Sequence, residues 1–263
     1  MSDAATAPYD LLGPEHDLPA GRTPVQQSYL ICSTPRSGST LLAEAMHRTQ
    51  QLAIPAEYLE LGAALPYLYN RWQCAGFDDY VRRLHDHRTA DNGVFGVKAH
   101  WHQVVQFANA SQGAEPLADI DFSVMNAVLQ RVIPNAVFIF VTRRDKQRQA
   151  VSHWLASRTQ RWIRLGDDPV SEVPPYDFES IARFSTGIAA SEQFWEKFFS
   201  LGRVEPLRFV YEDLVADYEN TVRLAAQHVG VDAGTLAVPP PRMKRQSNEQ
   251  TIEYAERYRN EQR

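Results

Sequence analysis

The sequence predicts an α/β protein, a parallel sheet flanked by helices, on three observations. Short apolar runs alternate with stretches of helical periodicity, the pattern of strands joined by helical crossovers. The run Ala136-Val137-Phe138-Ile139-Phe140-Val141-Thr142 is the strongest strand signal in the chain. Leu30-Ile31 leads through Thr34-Pro35-Arg36-Ser37-Gly38-Ser39-Thr40 into Leu41, Leu42, Ala45 and Met46, which places a buried strand, a tight loop and a helix in direct succession.

Strands are expected near 28–33, 93–98, 136–142 and 206–210, and helices near 39–50, 57–70, 76–89, 121–132, 146–163, 177–201 and 212–229. Pro35 and Gly38 punctuate the first turn, and Ser39 and Thr40 are good caps for the helix behind it. Val94-Phe95-Gly96-Val97-Lys98 supplies the second strand. The stretch from Ala108 to Asp119 carries Asn, Ser, Gly and Pro and reads as a linker loop; Gly166 to Pro175 reads as an acidic, proline-containing loop. The third strand runs straight into Arg143-Arg144-Asp145-Lys146 and a helix. The fourth, Leu207-Arg208-Phe209-Val210, enters Tyr211-Glu212-Asp213-Leu214 and a helical stretch that closes at His228-Val229-Gly230. Pro239-Pro240-Pro241 starts a stiff connector to a charged tail, 242–263, whose last residues read either as cover for a site or as a solvated terminal helix.

The chain has 263 residues, 44% hydrophobic and 11% aromatic, enough to bury a large core and too many for a disordered chain. We expect an N-terminal extension over 1–27 and a single domain over 28–263. The net charge of -5 gives no support to a nucleic-acid partner, so any anion site must be a local cluster of Arg and Lys. Cys32 and Cys74 are the only cysteines, so disulfides do not organise the fold. No apolar run is long enough to span a bilayer, and the extension, dotted with Pro8, Pro14 and Pro19, lacks the plan of a signal peptide. A cytoplasmic protein without stable membrane insertion is expected. There is no His/Cys cluster at zinc spacing, and a metal is not expected.

The loop at Thr34–Thr40 has the chemistry of an anion cradle. Backbone N–H groups at a helix start are unpaired and carry partial positive charge, and Arg36, Ser37, Ser39 and Thr40 add a guanidinium and three hydroxyls. Familiar phosphate loops do not match. The nucleotide-triphosphatase pattern needs a Lys where Ser39 stands, a phosphatase needs an Arg six residues after Cys32 where Gly38 stands, and the dinucleotide fingerprint lacks its first two glycines. What remains resembles the 5'-phosphosulfate loop of sulfotransferases, which grips 3'-phosphoadenosine 5'-phosphosulfate (PAPS), and implies a P-loop-like fold.

Arg144 and Ser152, eight residues apart with Ala150-Val151 before the serine, resemble the 3'-phosphate element of the same enzymes. An Arg fork fits phosphate oxygens, and a cluster of cations at a helix N-terminus opposes the macrodipole unless an anion sits among them. Tyr211-Glu212-Asp213 also resembles a sulfotransferase element, with an architectural rather than catalytic role expected. Together with Pro55-Ala56-Glu57-Tyr58, Gly96-Val97-Lys98, Thr159-Gln160-Arg161-Trp162, and Arg245-Gln246 to Glu256-Arg257-Tyr258-Arg259, these segments are similar to the Stf0 family of bacterial carbohydrate sulfotransferases over residues 28 to 259.

That resemblance implies transfer of a sulfuryl group from PAPS to a carbohydrate hydroxyl, leaving PAP. The leading acceptor is the trehalose 2-hydroxyl; a lipopolysaccharide or lipo-oligosaccharide glycan is the alternative. It implies cofactor contacts from Pro35, Arg36, Ser37, Gly38, Ser39, Thr40, Arg144 and Ser152, with Lys244, Arg245 and Gln246 folding over the 3'-phosphate. Arg36 and Lys98 are the natural cations for the leaving oxygen. Glu57, in the Pro-x-Glu-aromatic segment, is the expected base. His100 is the rival, because Lys98-Ala99-His100 is similar to the Lys-Thr-His of cytosolic sulfotransferases, and histidine titrates at a convenient pH. Glu60, Trp101 and Trp162 are candidates for sugar contacts, although for any single Trp a core position is the more ordinary account. A homodimer is implied as well. Two other classes remain: a P-loop-like nucleotide kinase, which lacks the loop Lys it needs, and a catalytically silent PAP-binding protein, which would have no use for Glu57, Lys98 and His100 together.

Overall fold

The computed structural model describes residues 11–19, 23–115, 119, 121–163, 173–243 and 249–262. Four parallel strands form one sheet: β1 (Gln27–Ser33), β2 (Val94–His100), β3 (Ala136–Thr142) and β4 (Leu207–Val210), in the order β2-β1-β3-β4. The outward steps from β1 to β2 on one side and to β3 on the other leave a crevice at their carboxyl ends, where open α/β sheets bind ligands. Register aligns those ends: Ser33 pairs with His100 and with Val141, and Thr142 with Val210.

Helices cover both faces, and the strand alternation decides which residues meet them. Leu30 and Cys32 face a core built from α3 (Phe77–Arg88), α4 (Trp101–Ser111), α5 (Phe122–Val132) and α7 (Phe178–Gly202), with Leu84, Phe107, Leu129 and Trp195 among its members. Tyr29 and Ile31 face the opposite core, where Leu42 and Met46 of α1 (Ser39–Arg48) meet Val222 and Ala226 of α9 (Tyr218–Val229). A third cluster joins α6 (Lys146–Thr159), α7 and the C-terminal α10 (Glu249–Glu261) through Val151, Trp154, Ile188, Tyr254 and Tyr258. Cys32 is a fully buried thiol that burial pushes well above its ordinary pKa.

All four expected strands are present, and the differences lie in the helices. The helix expected from residue 57 begins at Ala64, as α2 (Ala64–Arg71), because Ala56 makes an isolated parallel bridge to Val97 and holds the following residues in a turn. Glu60 then accepts the N–H groups of Gly62, Ala63 and Ala64 at 2.6, 2.6 and 3.1 Å, serving the open end of α2. α6 stops at Thr159, where Gln160 adopts a left-handed φ of 55°. The helix expected over 212–229 is divided at Asp217 into α8 (Tyr211–Ala216) and α9. α4 occupies part of the stretch read as linker.

The described part of the N-terminal extension is pinned to the domain. Asp17 pairs with Arg71 at 2.8 Å and with the fully buried Arg88 at 2.7 Å, and accepts the Trp72 indole N–H at 2.9 Å. At the other end, Arg242 pairs with the buried Glu44 of α1 at 3.0 Å and brings the proline connector onto that helix. Among the described residues no helix is long and apolar enough to cross a membrane.

Candidate active site

The carboxyl ends of the strands open into a cleft of about 1400 Å³ that reaches from Pro35 and Arg36 past Glu57, Lys98 and His100 to Arg143, Ser152 and Trp162. Its floor is the turn between β1 and α1. Arg36 and Gly38 both take positive φ, 64° and 91°, which wraps the backbone into a nest before the helix starts. Glycine is required at 38 for a second reason: a Cβ there would lie 2.5 Å from the Tyr211 ring. Arg36 reaches across to α6, donating from Nε to Ser152 Oγ at 3.0 Å and from a terminal nitrogen to the Trp162 carbonyl at 2.5 Å.

A second group stands where β2 ends. Lys98 Nζ, buried, lies 3.0 Å from Thr40 Oγ1 in the first turn of α1 and 2.5 Å from Glu57 Oε1. The bridge between Ala56 and Val97, with Lys98 N–H donating to the Ala56 carbonyl at 3.0 Å, presents Glu57 to that amine. Gln103 of α4 donates to Glu57 Oε2 at 2.6 Å, and its own Oε1 accepts the His100 backbone N–H at 2.9 Å. His100 Nδ1 is 3.0 Å from Ser33 Oγ, which leaves Nε2 on the Glu57 side, 3.7 Å from Oε1.

These contacts set the protonation states. Burial alone would raise the Glu57 carboxyl, but the Lys98 ammonium, His100 and the hydrogen bonds from Lys98 and Gln103 hold it far below the carboxylate range, so it is ionised. Burial pushes His100 down to about 4; Glu57 opposes the shift, while Lys98 and His102 add to it. Burial and the neighbouring Arg143 guanidinium pull Arg36 down to about 10. Two crowded guanidiniums are the condition that an anion relieves.

The third group belongs to the start of α6. Glu212 accepts the N–H groups of Arg144 and Asp145 at 2.9 and 3.2 Å, and Asp145 accepts the Arg148 N–H at 3.0 Å. Tyr211 carries Arg143 over its ring at 4.9 Å. Tyr211, Glu212 and Asp213 thus brace the loop and α6, in keeping with an architectural role. Arg143 and Arg148 line the cleft beside Ser152. Arg144 does not: it is exposed and makes a bidentate pair with Asp213 at 2.9 and 2.8 Å.

Of the other sequence candidates, Pro35, Gly38, Ser39 and Thr40 line the cleft; Ser37 is buried with an unpartnered Oγ and is not in the lining. Glu60 lines the cleft while its oxygens serve α2. Trp162 is half exposed on the wall, whereas Trp101 lies outside the lining, stacked on Phe194 at 5.6 Å and edge-on to Trp195 at 5.1 Å. Lys244, Arg245 and Gln246 lie outside the described residues, though Met243 and Thr251 on either side line the cleft.

Gln103, Arg143 and His153 also line the cleft, as does His102, and the sequence singles out none of them as a contact for donor or acceptor. Gln103 had a signal, a Gln three residues beyond a strand end, which is capping spacing. Arg143 had none, since adjacent arginines leave a strand on opposite sides and spacing to Ser152 selects only one. Among the described residues no group of three or more His, Cys, Asp or Glu is arranged to hold a metal ion.

The chain is 29% identical over 257 residues to the trehalose 2-sulfotransferase of Mycobacterium tuberculosis (strain ATCC 35801 / TMC 107 / Erdman), covering 89% of this chain and 94% of that one. It is 29% identical over 258 residues to the trehalose 2-sulfotransferase of Mycolicibacterium smegmatis (strain ATCC 700084 / mc(2)155), covering 88% and 94%. A solved sulfotransferase domain from the Synechococcus PCC 7002 olefin synthase is 18% identical, with a TM-score of 0.37 and coverage of 92% and 90%. The family model described as Stf0 sulphotransferase matches residues 28–261, most of the chain, so the chain belongs to the Stf0 sulphotransferase family and is a sulfotransferase enzyme.

Proposed function

We propose that this sulfotransferase moves a sulfuryl group from PAPS to a carbohydrate hydroxyl, with the 2-hydroxyl of trehalose as the leading acceptor. The observation that carries the reading is the position of Lys98, whose amine joins the anion loop at Thr40 to the carboxylate of Glu57. A donor phosphate on the loop and an acceptor hydroxyl at Glu57 would then meet on either side of one cation. The names of the two mycobacterial relatives support trehalose.

The residues fit the donor. PAPS supplies an activated sulfuryl group and a phosphate leaving group. Backbone N–H groups at the start of α1, Arg36 and Thr40 would hold its 5' end, and Arg143 with Ser152 its 3'-phosphate. Support for Arg143 in that role is its place in the cleft wall and the mutual crowding of Arg36 and Arg143, which an anion between them relieves.

Glu57 takes the acceptor proton as the new S–O bond forms and the bond from sulfur to the leaving oxygen breaks. Lys98 and Arg36 balance the negative charge that gathers on that oxygen. As Lys98 turns toward it, the ion pair that depresses Glu57 loosens and the carboxylate becomes more basic at the moment it is needed. His100, neutral and with Nε2 on the Glu57 side, orients the hydroxyl. The test is incubation with sulfur-labelled PAPS and a panel of trehalose, glucose, N-acetylglucosamine oligomers and lipid-linked glycans. Label in trehalose sulfate supports the reading; label confined to a lipid-linked glycan replaces the acceptor, and no transfer to any sugar removes the function.

A further inference from the structure

We propose that Gln103 is a positioning residue for the reaction, fixing the Glu57 carboxylate at the angle from which it takes the acceptor proton. The proposal rests on Glu57 as the base. Gln103 is 3% exposed in the first turn of α4, and both ends of its amide are committed. Oε1 accepts the His100 backbone N–H at 2.9 Å, a partner that only an oxygen satisfies. The NH2 group must therefore face Glu57, where it donates to Oε2 at 2.6 Å. The reverse flip would put a donor against an N–H and an acceptor against a carboxylate. A backbone group of β2 thus dictates, through one side chain, where a carboxylate on a separate turn points.

The need for such a contact follows from Lys98. Its bond to Glu57 Oε1 is the one that must weaken when charge builds on the leaving oxygen. A carboxylate on the turn after Ala56 would then be free to swing through its rotamers. Gln103 is neutral, has no competing anion to follow, and keeps hold of Oε2 while Oε1 faces the hydroxyl. Reaction rates depend steeply on such alignment. The bland alternative is that Gln103 only caps α4, as Gln does three residues into many helices.

Gln103→Glu separates the two roles, because a carboxylate still accepts the His100 N–H and is equally good in a cap, but it cannot donate to Glu57 unless protonated. The variant should bind PAP like the parent and melt somewhat lower at neutral pH, where two buried carboxylates repel, while kcat falls by about tenfold to a hundredfold with little change in KM for PAPS, the range of one charge-assisted hydrogen bond. Activity should rise again as pH is lowered, since two facing carboxyls come to share a proton that restores the donor. In a Glu57→Gln background the same change should cost nothing further, because the amide then standing at position 57 donates to the new carboxylate. Gln103→Leu, which removes both contacts, should show the same loss of additivity and serves if the charged variant does not fold. A Gln103→Glu enzyme at parent speed, or a loss that adds in full to that of Glu57→Gln, leaves Gln103 as a cap and overturns the proposal. A Glu57→Gln enzyme at parent speed removes the base itself, an outcome distinct from either.

Discussion

Lys98 and Glu57 meet at 2.5 Å, Nζ to Oε1, and the same amine is 3.0 Å from Thr40 Oγ1, so one cation touches both the start of α1 and the carboxylate opposite it. These two residues come from a strand end and from the turn that a single bridge, Ala56 to Val97, lays beside it. Replacing Lys98 with Ala should lower kcat more than it weakens PAP binding, because its charge matters most when the leaving oxygen becomes anionic. Single-turnover rates and PAP calorimetry on the same variant read the two quantities separately, and an unchanged rate with weakened binding would make Lys98 a binding residue only.

Arg143 rather than Arg144 should dominate affinity for PAP. Arg143→Ala is expected to weaken binding about tenfold to a hundredfold, the value of a charged hydrogen bond or two, whereas Arg144→Ala should change it by less than about threefold because its partner is Asp213. Calorimetry of both variants decides, and the reverse ranking would return the 3'-phosphate to Arg144.

Gly38→Ala should damage both fold and site. The residue sits at φ 91° with the Tyr211 ring in the space a Cβ would fill, so strain and overpacking together should cost on the order of 2–4 kcal/mol. Chemical denaturation measures the loss; a variant as stable as the parent with full PAP affinity would show that the close approach of Tyr211 is not needed.

Stability should fall as pH drops from about 6.5 to about 4. His47, His100 and His153 are held near 4 in the fold, first of all by burial, so across that window the unfolded chain takes up protons that the native state refuses. Glu57 acts later: its folded pKa is depressed, so its contribution is present above the ordinary carboxyl value and is lost only as pH falls toward the lower folded one. Melting temperatures across this range should decline steadily, and His100→Asn should flatten the slope. A midpoint constant down to about pH 4 would mean that the histidines charge freely in the native state.

The parts of this molecule that were legible in the sequence are those where one residue type answers one local demand. Pro35, Gly38, Ser39 and Thr40 spell a strand, a nest and a helix start, and Tyr29 to Ser33 reads as a strand buried on both faces. α4 is not legible, because its buried side includes Gln103 and Asn109, its last turn carries Asn109 and Ser111, and Gly113 follows just past its end. The sequence pattern makes Glu57 helical, since nothing in Pro55-Ala56-Glu57 announces the one-residue bridge from Ala56 to Val97 in a distant strand. Trp101 and Trp162 look alike in a sequence. Only packing sends one into the aromatic cluster on α7 and the other to the cleft wall.

The most direct measurement of the chemistry is the single-turnover rate of Glu57→Gln beside His100→Asn, with labelled PAPS, a working sugar acceptor and PAP affinity checked for each. Glu57→Gln keeps the shape and loses the basicity, so its rate should drop by about 10² to 10⁴ with PAP still bound, while His100→Asn should lose much less. A Glu57→Gln enzyme at near-parent speed beside a crippled His100→Asn would contradict the assignment and make the Ser33-supported imidazole the base.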